Sequence, residues 1–175
     1  SIFQGENVRD NARVEAGAGM NYAVLRRPDE QVTVGLDLVY FAYDENLRFF
    51  SLGHGGYFSP QNYTAVNVPV DWRARSGDWS WRLGGSVGYA VWSEDRSPVF
   101  PNDPALQGAL SARVGQDPRI QAFYPSQSEA GLIGSVRADV EYAMTPELAL
   151  GATFRYDRSA DWNEGRTGVY VRYRL

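Results

Sequence analysis

The chain has 175 residues and a net charge of −4, with no cysteine and no lysine, so that arginine supplies every basic side chain. One domain's worth of chain without cysteine excludes disulfides and thiolate metal sites, and the mild acidity with no basic run gives nucleic acid nothing to hold. No apolar run approaches the roughly 18 residues of a membrane-spanning helix, whereas a barrel needs apolar side chains only at alternate positions.

Alternation of that kind fills the chain. Residues 12–25 set Val14, Ala16, Ala18, Met20, Tyr22 and Val24 against Arg13, Glu15, Gly17, Gly19 and Asn21. A tight turn at Arg26–Glu30 leads to residues 31–43, where Val32, Val34, Leu36 and Leu38 oppose Thr33, Gly35 and Asp37. A glycine-rich, aromatic loop (44–62) precedes residues 63–75, where Val66, Val68, Val70 and Trp72 oppose Asn67, Asp71, Arg73 and Arg75. Pro69 lies inside this strand, and because the alternation continues on both sides of it the strand is kept. Ser76-Gly77-Asp78 turns the chain into residues 79–92, with Trp79, Trp81, Leu83, Val87, Tyr89 and Val91 opposite Ser80, Arg82, Ser86 and three small residues. A long connection, 93–128, contains a short helix at 103–114 capped by Asp103 with Pro104 at its first position. Residues 131–144 set Val136, Ala138, Val140 and Tyr142 against Ser135, Arg137, Asp139 and Glu141; residues 148–158 set Leu150, Ala152, Phe154 and Tyr156 against Gly151, Thr153, Arg155 and Asp157. A medium loop, 159–165, leads to the last strand, 166–175.

Side chains on a strand have a period of two, so each set lines one surface. Connections that alternate short and long, on strands longer than the roughly ten residues that cross an apolar band of about 25 Å, describe an antiparallel up-and-down transmembrane β-barrel. Aromatic residues gather toward both strand ends: Tyr22, Trp72, Trp79, Trp81, Tyr142 and Tyr173 near the short turns, Tyr40, Tyr89, Trp92 and Tyr156 near the long loops. Two aromatic belts suit two membrane interfaces. A soluble β-sandwich or lipocalin-like barrel would also alternate, with the apolar set forming its core.

The end of the chain carries Arg166, Gly168, Val171, Tyr173 and Leu175 in the spacing polar, any, glycine, two of any, apolar, any, apolar. That spacing resembles the signal by which bacterial outer-membrane barrels are handed to their assembly machinery, with Leu175 in place of the commoner phenylalanine. About seven complete strands are an odd number, and single-chain bacterial barrels close with an even one. Ser1 to Gln4 read as the stump of an eighth strand, so residues 1–175 are expected to be the C-terminal portion of a larger outer-membrane barrel whose targeting signal lies outside them.

Three stretches, Ser51-Leu-Gly-His-Gly-Gly-Tyr-Phe-Ser-Pro-Gln-Asn-Tyr63, Val68-Pro-Val-Asp-Trp72 and Trp79-Ser-Trp-Arg-Leu-Gly-Gly-Ser-Val87, together with the closing Tyr170-Val-Arg-Tyr173, resemble the C-terminal domain of cellulose synthase operon protein C. The similarity runs from about Gln4 to the terminus and is weakest through 93–128. The resemblance implies a porin-like barrel of roughly twice as many strands, preceded by periplasmic tetratricopeptide repeats, that exports cellulose. It implies as partners the membrane lipid, a cellulose or modified glucan chain, the barrel-assembly machinery and, through the repeats, the inner-membrane synthase. No helical repeat period is visible in this chain.

The polar face is the expected lumen lining: Arg13, Glu15, Asp37, Asp71, Arg73, Arg75, Arg82, Arg137, Asp139, Glu141, Arg155, Asp157, Arg172 and Arg174. A near-balanced mixture suits an uncharged, hydroxyl-rich polymer, because conduction needs contacts weak enough to release. Cross-strand ion pairing is the plainer role for any one of these residues. Asp139 and Glu141 share a face at a separation seen in glycosidase pairs, as many same-face acids do. His54 is the sole histidine, and with no cysteine no metal site or cofactor is expected. A lipid-acting barrel enzyme using His54 is the catalytic alternative. In the loop around it, Phe49, Phe50, His54, Tyr57, Phe58 and Tyr63 either meet glucan rings, act as a gate, or pack on one another.

Overall fold

The computed structural model describes residues 1–117, 119–159 and 163–174. Its strands, in chain order, are β1 (Ile2–Gly5), β2 (Val8–Arg27), β3 (Glu30–Tyr43), β4 (Asn62–Ser76), β5 (Trp79–Glu94), β6 (Ser97–Pro98), β7 (Phe123–Tyr124), β8 (Gln127–Ala143), β9 (Leu148–Arg158) and β10 (Asn163–Tyr173); the helix α1 (Pro104–Val114) lies between β6 and β7. Eight strands form one sheet in the order β1-β2-β3-β4-β5-β8-β9-β10, and β6 pairs with β7 in a separate two-stranded ribbon. The protein is therefore all-β, with consecutive long strands side by side in an up-and-down order. Among the described residues no helix is long and apolar enough to cross a membrane.

The strands fall where the alternation puts them, with ends that differ by a few residues. β8 starts at Gln127 rather than 131, because a strand already paired to its neighbour continues into sequence with no clean period. Pro69 is accommodated within β4. Across from it Gly35 has no side chain, and a Cβ there would stand 2.8 Å from the proline ring. The expected stump is a strand: β1 pairs antiparallel with β2 through Ile2↔Ala12, Phe3↔Asn11 and Gly5↔Val8. Its connection to β2 is a tight turn with Asn7 at φ 62°, a residue type that tolerates the left-handed region. This turn interrupts the expected alternation of short and long connections. The terminal strand ends at Tyr173, and Leu175 of the expected assembly signal lies outside the described residues.

Two compact units divide the contacts. The first comprises Ser1–Ala16, Val39–Thr64 and Val91–Glu129, and holds both long loops. Strand ends meet loops there through Tyr43 N–H to Pro60 O at 2.8 Å and Gln61 N–H to Ser93 O at 3.0 Å. α1 starts as its sequence dictates: Asp103 accepts from Leu106 N–H at 2.8 Å, and Pro104 follows it. All residues of α1 keep some exposure, so its position comes from Gln107, which accepts from Phe100 N–H at 3.0 Å and donates to Ala122 O at 2.7 Å.

The second unit comprises Gly17–Leu38, Ala65–Ala90 and Ala130–Leu175, and holds the short turns. Each of these turns receives a hydrogen bond from a later strand or from the residue that follows one: Arg75 N–H to Asp29 O at 2.8 Å, Ala143 N–H to Asp78 O at 2.9 Å, and Arg174 N–H to Glu147 O at 2.9 Å.

Among the described residues, the apolar parity of the long strands does not gather into a core. Val14 is 66% exposed, Leu36 47%, Val70 43% and Leu83 41%. The same holds for Val87, Val91, Val136, Leu150 and Val171. The polar parity is the less exposed one on β5, where Ala90, Trp92 and Glu94 are buried. The expected belt residues Tyr22, Tyr40, Trp79, Tyr89, Tyr142, Tyr156 and Tyr173 are exposed on the apolar side. Trp92 is a correction, because it occupies the polar parity of β5 and is buried.

Candidate functional site

Within the second unit, Asp71 and Arg73 from β4, Arg82 from β5 and Arg137 from β8 meet on the polar face. Asp71 Oδ1 accepts from Arg73 Nε at 2.7 Å, and its Oδ2 accepts from Arg82 Nε and Arg137 Nη2, both at 2.7 Å. The carboxylate is 19% exposed, and the arginines keep between a third and two thirds of their side chains open. Arg137 reaches a strand beyond its neighbour because Gly84 on β5 leaves its path clear. A Cβ on Gly84 would stand 2.6 Å from Arg137 Nε.

A second crossing repeats this device. Glu141 on β8 pairs with Arg172 on β10 and accepts from the Tyr170 hydroxyl at 3.2 Å. Between them on β9 lies Gly151, in register with both Glu141 and Tyr170, and a Cβ there would collide with the tyrosine ring. Glycines on the middle strand thus open lanes for long side chains. The remaining expected lining residues pair locally or border clefts. Arg155 pairs with Asp157 at 2.6 Å and Arg13 with Glu15 at 2.6 Å. Asp37 borders a cleft of about 570 Å³ with the Asp71 group, while Arg75, Asp139 and Arg174 border another of about 630 Å³ nearer the short turns. Of the terminal-strand signal, Arg166 pairs with Glu164 at 2.7 Å, Gly168 lies opposite Thr153 in register, and Val171 and Tyr173 are exposed on the apolar side.

In the first unit the aromatic loop packs largely on itself and its neighbours. Phe49 stacks on Tyr124 with centroids 3.6 Å apart, and His54 meets both rings edge-on. His54 is only 7% exposed, and its Nε2 lies 2.9 Å from Pro98 O, to which it donates. Burial holds its pKa below the ordinary value, with the carbonyl hydrogen bond opposing. The Tyr57 hydroxyl accepts from Asn11 Nδ2 at 2.9 Å. Tyr63 stacks on Phe41 at 4.4 Å, and Phe58 meets Trp92 edge-on at 5.1 Å. Phe50, 92% exposed, is the most open of the six, and Phe58 also keeps exposure.

The sequence reading missed the polar half of this loop cluster. Glu94 is buried at the end of β5, where it pairs with Arg48 at 3.3 Å and accepts from Gln127. Asn46 donates to Asp95 O at 2.8 Å, and Ser97 donates to Asn46 O at 2.7 Å. The one available signal was parity: Trp92 and Glu94 continue the polar series of β5. Among the described residues no cluster of side chains has the composition of a metal site.

The family model described as the C-terminus of cellulose synthase operon protein C matches residues 1–175. The chain belongs to this family. It is 34% identical to cellulose synthase operon protein C of Komagataeibacter xylinus, over 99% of this chain and 14% of that protein. The identity is 38% with the protein of that name from Salmonella typhimurium, over 98% of this chain and 14% of the relative. A protein of the same name from Xanthomonas axonopodis is 34% identical over 98% of this chain and 12% of its own length. The chain thus spans about a seventh of the length of these relatives, and the matched residues of this chain include both glycine lanes and the Asp71 group.

Two outcomes are expected in a full-length protein carrying this segment. Gly84→Val and Gly151→Val each overpack a lane and lower stability by roughly 1–3 kcal/mol, read as a lower urea midpoint. For His54, the folded state holds the neutral imidazole while an unfolded histidine takes up a proton near pH 6.5. Its stabilisation is therefore present above about pH 6.5 and lost as the pH falls below it. Amide exchange across residues 46–56, corrected for intrinsic rate, accelerates from pH 7.5 to 5.5, and His54→Leu flattens that dependence.

Proposed function

We propose that this chain is the C-terminal part of a transmembrane β-barrel in the bacterial outer membrane, whose polar face borders a watery conduit for a cellulose chain leaving the periplasm. The exposed apolar set carries this reading. A soluble β-sandwich would bury Val14, Leu36, Val70 and Leu83, and here they stand open on strands of 14 to 20 residues. Hydrocarbon is the medium in which such a surface lies without cost. The family name supplies the polymer: its members are cellulose synthase operon proteins.

The conduit works without catalysis. Many of its charges pair with one another, so a hydroxyl-rich chain meets hydrogen-bonding groups that hold it weakly and let it move. Phe50 is the loop aromatic most open to a sugar ring, while Phe49, His54 and Tyr57 hold the loop in shape. Short turns face the periplasm and long loops the cell surface, as in bacterial barrels generally. The apolar face has lipid as its partner, and β10 is the strand presented to the assembly machinery. Residues upstream in the full-length protein carry the link to the inner-membrane synthase.

Val87 lies mid-strand on the apolar face, where arginine at the bilayer midplane costs about 2–4 kcal/mol. Val87→Arg lowers the yield of folded, heat-modifiable protein in outer membranes, whereas Thr153→Arg on the opposite face leaves it unchanged. In planar bilayers the full-length protein conducts ions and its current is interrupted by cellotetraose. Absence of current, or full assembly of Val87→Arg, overturns the reading.

A further inference from the structure

The Asp71 group holds more positive charge than its acid can neutralise. Three guanidinium groups converge on one carboxylate, and each uses a single N–H on it: Nε of Arg73, Nε of Arg82 and Nη2 of Arg137. A guanidinium has five N–H donors, so most of the donor capacity of the three remains unused by Asp71. Two arginines would already exceed what a structural ion pair needs. The third, Arg137, comes from two strands away over Gly84, a residue the sheet keeps bare for it. The cleft in front of the group, about 570 Å³, is lined by four arginines against two aspartates, and the fourth, Arg155, is already engaged by Asp157. Asn21, Asn67, Ser86 and Ser135 supply amide and hydroxyl groups to the same cleft.

We propose that Arg73, Arg82 and Arg137 form a binding site for an oxyanion, a phosphate or carboxylate group. The group is either carried on the polymer as a substituent or free in solution. Planar N–H forks match the geometry of such groups, and charge-assisted bonds to them are about twice as strong as neutral ones. Asp71 keeps the three guanidinium groups assembled in the absence of the anion and limits its affinity, so that the anion binds and leaves. The site deepens the conduit reading and rests on it for its role, though not for its detection.

The test uses the full-length protein in detergent at low ionic strength, with inorganic phosphate observed by phosphorus NMR line broadening. Wild type binds phosphate, and the broadening disappears in 1 M chloride, which screens exposed charges. Arg137→Gln weakens binding about tenfold, and Asp71→Asn, which removes the competing carboxylate, strengthens it severalfold. Arg119→Gln, in the long loop, changes nothing. No binding by wild type overturns the site, as does equal binding by Arg137→Gln, or unchanged or weaker binding by Asp71→Asn. The second variant carries the test if the first does not assemble. A phosphorylated cello-oligosaccharide that binds tighter than phosphate assigns the anion to the polymer, and equal affinity assigns it to free phosphate. Current block by neutral cellotetraose is recorded in parallel. Block without phosphate binding ends this proposal and leaves the conduit standing, whereas phosphate binding without any current does the reverse.

Discussion

A carboxylate covered over most of its surface needs charged partners, and Asp71 takes them from its own strand and from two others. Strand geometry sends alternate side chains to opposite sides, so committing valine, leucine and tyrosine to one face commits arginine and acid to the other. The arginines are long enough to reach beyond the adjacent strand. Lysine has the reach but not the planar fork, and the chain uses none. Glycine at 84 and 151 then has a role that composition alone would not reveal. It is the floor over which Arg137 and Tyr170 lie.

The loop-bearing unit is held differently. Stacked rings of Phe49 and Tyr124, the edge-on His54, and a buried Glu94 drawn between Arg48 and Gln127 give it a small core of its own. A buried carboxylate with one partner from a loop and one from the start of β8 is costly to expose on either side, which favours the loop keeping one arrangement. The aromatic richness of residues 49–63 is mostly explained by this packing.

Period carried the strands in the sequence. Long alternating runs with turn residues between them left little freedom, and even Pro69 yielded to the pattern on either side of it. Asp103-Pro104 marked the start of α1 for an equally local reason. What escaped was everything set by distant pairs. Arg137 and Asp71 are 66 positions apart, and nothing along the chain announces that three arginines share one acid. The β6–β7 ribbon has only two residues on each side, too few for a period to exist. Trp92 follows the polar parity of β5 and is buried, although its size suits a membrane-interface belt.

Gln107 ties Phe100 to Ala122 with one amide group. The helical excursion between those two residues is consequently a closed purse, drawn shut at its neck by that side chain and by Val99 N–H, which donates to Ala122 O at 3.2 Å. Segments of other lengths can hang from the same neck at little cost, since closure entropy grows slowly with loop size. Changes in what this excursion displays can therefore leave the β6–β7 ribbon beneath the neck as it is.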